Sequence, residues 1–125
     1  LLIEGQIVGG AAQGIGGALL EEFVYDESMQ PLATSFMDYL LPTITELPHI
    51  ELLLREDAPS GTNPLGIKGA GEGGITAVGA AVAAAVDDAL GRTECVNRLP
   101  ISAARMHEIL KAKSNRPTDV KAVNL

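Results

Sequence analysis

From Ile3 to Val24 apolar residues recur at helical spacing without an intervening proline, and this predicts one long helix. Asp26 to Gln30 reads as a turn. The apolar stretch that follows, Leu32 to Leu41, is irregular, and Pro42 and Pro48 divide what comes after it, so short strands or extended chain are predicted. Ile50 to Arg55 reads as a strand, and Glu56 to Lys68, with Pro59, Gly61, Asn63, Pro64 and Gly66, as a rigid loop. Ile75 to Leu90 holds seven alanines and predicts a strongly buried helix stopped by Gly91. Ser102 is placed to cap a last amphipathic helix, Ala103 to Lys111. The expected architecture is α+β: a glycine-rich long helix, short mixed strands and a buried Ala-rich helix over residues 1–112, then a polar tail at 113–125.

Glycine changes this picture. Twelve of the fourteen glycines fall in two windows, Gly5 to Gly17 and Gly61 to Gly74. Each glycine inside a helix costs about 1 kcal/mol relative to alanine, so six in the first helix require a reason. At 100° per residue, Gln6, Gly10, Gln13, Gly14 and Gly17 share one face, and Ile7, Ala11, Ile15, Ala18 and Leu19 share another. A face with almost no side chains except two amides either lets a second backbone pack closely or lets a polar ligand lie along the helix.

The 125 residues are 46% hydrophobic and 20% charged, which suits one soluble domain or a piece of one. Aromatics make up only 3%, so the core must be aliphatic. A net charge of −7 argues against nucleic acid, which requires clustered Lys and Arg. Residues 1–90 carry 13 acidic side chains against two cations, Arg55 and Lys68, whereas the last 35 residues carry a net positive charge. The single Cys95 permits no internal disulfide and fits a reducing compartment, so the expected location is the cytoplasm. No membrane span or signal peptide is read, and an opening at Leu1 inside a helical pattern suggests a fragment or a processed subunit.

Two motifs offer chemistry that their context withdraws. Gly69, Gly71 and Gly74 satisfy the dinucleotide-binding spacing, yet Asn63 to Lys68 is a poor central strand to precede it. Gly10 to Gly16 resembles the glycine turn of short-chain dehydrogenases, but neither Tyr25 nor Tyr39 has the lysine four residues on that those enzymes use. His49, His107 and Cys95 lack metal-ligand spacing, and no metal ligand is predicted. Glu72 is harder to explain structurally. Four glycines leave it bare ahead of a helix, where a carboxylate can serve either as a helix cap at the positive dipole end or as a general base. Lys68, four residues earlier, can serve an anionic cofactor or pair with a carboxylate.

Five blocks together resemble the C-terminal part of the molybdenum-binding large subunit of molybdenum hydroxylases, the xanthine dehydrogenase and aerobic carbon monoxide dehydrogenase family. They are Ile3-Glu4-Gly5-Gln6, Gln13-Gly14-Ile15-Gly16 with Leu19 to Glu22, Ser35-Phe36-Met37-Asp38-Tyr39, Asn63-Pro64-Leu65-Gly66, and Lys68-Gly69-Ala70-Gly71-Glu72-Gly73-Gly74. The resemblance implies that the chain is part of a larger molybdopterin-binding domain. It implies a hydroxylase acting on an aldehyde, an N-heterocycle or a similar small molecule, or on carbon monoxide, with water as the oxygen source and Glu72 as the base. It further implies a molybdopterin cytosine dinucleotide cofactor, with Gln6, Gln13 and Gly14 along the dinucleotide and Lys68, Gly69 and Gly71 near its pterin end. The implied partners are the remainder of the molybdenum subunit, an iron–sulfur subunit carrying 2Fe–2S clusters and a flavin subunit carrying FAD. The other reading is a non-catalytic module whose glycine faces pack on a partner chain.

Overall fold

The computed structural model describes residues 1–112; the tail expected at 113–125 lies outside the described residues. Three helices occur in chain order: α1 (Leu2–Leu19), α2 (Val78–Ala89) and α3 (Ala103–Lys111). The first ends five residues before the predicted Val24. The amides of Leu20 and Glu21 both donate to the Gly16 carbonyl, at 2.8 Å each, which closes the helix there. The chain then enters a tight hairpin in which Asp26 N–H donates to Gln30 O and Leu32 N–H to Val24 O. The Asp26 carboxylate organises this predicted turn by accepting from the backbone of Ser28 and Gln30, at 2.9 Å each.

The strand predictions require correction. Among the described residues the sole β pairing is one isolated bridge between Tyr25 and Pro31. The region 35–39 is a turn held by Ser35, whose carbonyl accepts from Asp38 and Tyr39, and Ile50–Arg55 has no backbone partner among the described residues. A strand requires a second strand to bond, and no described segment supplies one.

The α2 helix begins three residues after the predicted Ile75 and stops as predicted. Leu90 N–H donates to Val86 O, Gly91 N–H to Asp88 O, and Gly91 takes the left-handed conformation at φ 60°. It is not strongly buried, however, and none of its residues is. Its neighbour among the helices is α1, and the alanines on its other sides face outward. Ser102 caps α3 as predicted, accepting from Arg105 N–H at 3.4 Å.

Among the described residues Ala18, Ile101 and Ile109 are the buried apolar ones, so the core sits where the end of α1 meets the segment that leads into α3. Ile101 N–H donates to Ala18 O at 2.7 Å, and the Arg92 guanidinium donates to Ile109 O. The turn after α2 is tied back by Asp87, whose carboxylate accepts from the Cys95 thiol at 2.6 Å and from Val96 N–H at 3.0 Å. No helix among the described residues is long and apolar enough to cross a membrane.

Candidate functional site

The glycine face of α1 divides into two halves. A Cβ on Gly14 would stand 2.5 Å from Val78 Cβ, and one on Gly10 would stand 3.1 Å from Ile75 N and 3.2 Å from Gly74 Cα. The reciprocal contact is tighter: a Cβ on Gly74 would stand 2.9 Å from both Ile7 Cα and Ile7 C and overlap the Ile7 carbonyl oxygen. Gly10 and Gly74 therefore lack side chains because the turn before α2 crosses α1 backbone to backbone, and Gly14 stands against the side chain of Val78, the first residue of α2. Gln6, Gln13 and Gly17 form the other half. Both amides are exposed and unbonded among the described residues, roughly 10 Å apart along the helix axis, and nothing lies within 4 Å of a Cβ built on Gly17.

The turn carrying Glu72 is held at its two ends. Upstream, the Asn63 side chain accepts from Leu65 N–H and Ile67 N–H and donates to Ile67 O, at 3.0–3.1 Å. Ser60 N–H donates to Gly66 O across the same loop, and Gly66, at φ 66°, adopts a conformation that side-chain-bearing residues disfavour. The Asn63-Pro64-Leu65-Gly66 block is thus a self-bonded loop that delivers Lys68. Downstream, Gly74 is seated on α1.

Between these anchors Glu72 uses its carbonyl locally, accepting from Ile75 N–H at 3.1 Å, Thr76 N–H at 3.3 Å and Thr76 Oγ1 at 2.9 Å. Its carboxylate makes no hydrogen bond or ion pair among the described residues, and the residue is exposed. It is not the cap of α2. That position belongs to Ala77, and no side chain bonds there. Gly69 and Gly71, on either side of Ala70, have nothing within 4 Å of a built Cβ, so helix packing does not explain them.

Beside the turn lies a cleft of about 350 Å³. Ile3 and Ile7 of α1, Leu54, Lys68 and Ala70 supply walls, and Arg55 and Glu56 stand at it with opposite charges. Arg55 also pairs with Asp57. The two cations of the first 90 residues thus meet at one cleft. In the sequence Lys68 is marked by its place beside the glycine turn, whereas Arg55 has no signal except its rarity. Gln6, Gln13 and Glu72 are not among the cleft walls.

This geometry matches known proteins along most of the chain. A molybdopterin cofactor-binding domain family matches residues 1–48. The gamma subunit of the 6-hydroxypseudooxynicotine dehydrogenase complex of Paenarthrobacter nicotinovorans is 55% identical over 102 residues, covering 82% of this chain and 13% of that subunit. The large subunit of nicotine 6-hydroxylase from the same organism is 45% identical over 89 residues, covering 71% of this chain and 11% of that one. Quinoline 2-oxidoreductase from Pseudomonas putida 86 superposes with a TM-score of 0.81 at 42% identity, over 89% of this chain and 14% of that one. The chain belongs to the molybdenum hydroxylase family, as part of its molybdenum-binding large subunit.

This molybdenum hydroxylase segment spans about one eighth of the length of the curated relatives it matches. Its residues fit a cofactor held by organic groups. Two amides and a lysine unbonded among the described residues, with the open backbone at Gly69 and Gly71, are of the chemistry that would suit phosphates and ring nitrogens. Among the described residues no cluster of three or more His, Cys, Asp or Glu is placed to hold a metal ion directly.

Proposed function

We propose that this chain supplies the active-site base of a molybdenum hydroxylase, with Glu72 as that base. The observation that carries this reading is a carboxylate without partners among the described residues, on a turn pinned at Gly74 and braced at Asn63. A general base must be held still yet be free to accept a proton, and a carboxylate bonded into the fold would not be free. Glu72 takes a proton at its carboxylate as water-derived oxygen is transferred to the substrate. The cofactor, molybdenum on molybdopterin cytosine dinucleotide, supplies the two-electron oxidation when bound. Gln6, Gln13 and Gly14 would hold the dinucleotide, and Lys68, Gly69 and Gly71 would bind near the pterin.

The substrate class is an N-heteroaromatic compound. Two relatives carry nicotine-derived substrates in their names and the similar solved structure is a quinoline oxidoreductase, which supports this choice within the wider range of aldehydes, N-heterocycles and carbon monoxide. Electrons leave through 2Fe–2S clusters and FAD on partner subunits in the cytoplasm. The test is Glu72→Gln in the complete enzyme. Turnover should fall by about 10²–10⁴-fold while molybdenum content is unchanged; turnover within threefold of wild type would refute the assignment.

A further inference from the structure

We propose that Ile50–Arg55 is a β-strand completed by an extended segment from the remainder of the large subunit, which pairs with its open backbone edge and covers Leu53. Six residues run without helix, turn or bend, roughly 20 Å of chain. None of their amides or carbonyls bonds another described residue. Their side chains nonetheless alternate as in a strand. Ile50 and Leu52 are half-buried, whereas Glu51 and Leu53 are exposed on the other side; beyond them Leu54 and Arg55 both reach the cleft beside Ile3 and Ile7.

One face is therefore already seated on this chain, and what is missing is the edge. Leu53 is 87% exposed, in a run of three leucines beside unpaired backbone. An uncovered apolar edge of this kind pairs with whatever extended chain is available, so in a working protein it is covered. The occupant follows from the comparisons. The chain is about one eighth of its relatives' length, so the bulk of the subunit is at hand to supply a strand in the same molecule. The chemistry of that strand is set by cross-strand pairing: an apolar residue opposite Leu53, and a cation opposite Glu51, since Arg55 already pairs with Asp57.

This inference rests on the placement of the chain within a large subunit, and it does not depend on the role of Glu72. The test is hydrogen exchange, read by mass spectrometry on peptides spanning 50–56 in the purified complete enzyme at two protein concentrations. Exchange of every second amide between Glu51 and Arg55, those on the paired edge, should be slowed about 10³-fold or more relative to unstructured chain, independently of concentration. The slowing should persist after the iron–sulfur and flavin subunits are removed. Slowing below tenfold would overturn the inference. Slowing that grows with concentration would assign the edge to a second copy, and slowing lost with the other subunits would assign it to one of them; either also overturns it. An enzyme with fast exchange here and a turnover that still requires Glu72 would separate the two readings.

Discussion

Replacing Gly74 with alanine tests whether the crossing of two backbones positions Glu72. The added Cβ would lie 2.9 Å from Ile7 Cα and C, closer still to the carbonyl oxygen, and ordinary contact begins near 3.4 Å. Both obstacles are backbone of a continuous helix, so α1 cannot move aside as a flexible side chain would. The turn must retreat by at least about half an ångström from these carbons. Overpacking of this kind costs about 1–3 kcal/mol, and the amides of Ile75, Thr76 and Val78, bonded within the turn, should exchange about 5- to 150-fold faster. A displacement of about 1 Å can lower turnover by roughly 10²-fold, so turnover should fall toward that figure. The control is Gly71→Ala, which meets nothing within 4 Å and should leave exchange unchanged. Gly74→Ala with exchange and turnover both within twofold of wild type would show that the close crossing does not hold the base.

Three further outcomes follow from the same contacts. Asn63→Ala removes three loop bonds and should destabilise the loop by roughly 2 kcal/mol, read as faster exchange at Leu65 and Ile67; unchanged exchange would show that the loop is braced otherwise. Burial and the neighbouring Asp87 carboxylate push the Cys95 thiol up, so Cys95 should alkylate slowly near pH 8, and Asp87→Asn should accelerate it. With its thiol raised in the folded state, Cys95 contributes stability that is full below the ordinary thiol range and is lost as pH rises through the folded value. Asp87, held low by the Cys95 thiol and the Val96 amide, behaves in the opposite sense and loses its contribution as pH falls below the ordinary carboxylate range. An alkylation rate unaffected by Asp87→Asn would contradict the bond between them. Ser102→Ala should destabilise α3 by about 0.5–1 kcal/mol, at the low end because its capping bond is long at 3.4 Å; no change in exchange at Arg105 would discount the cap.

What the sequence determined by itself was local chemistry. The turn at Asp26, the stop at Gly91 and the cap at Ser102 each depend on atoms within four residues, so a single stretch of chain specifies them. The blocks around Glu72 and Asn63 likewise identified the family, since their residue types and order are the signal. The Ile50–Arg55 strand and the burial of the alanine helix were read from apolar content, which states that a surface needs covering but does not supply the cover. Only the tertiary structure decided which half of the glycine face on α1 serves packing and which stays open, because that depends on where a turn some sixty residues later crosses the helix. It also brought Arg55 to the same cleft as Lys68 and left the carboxylate of Glu72 unbonded, arrangements made by distant segments in contact and therefore invisible in the order of residues alone.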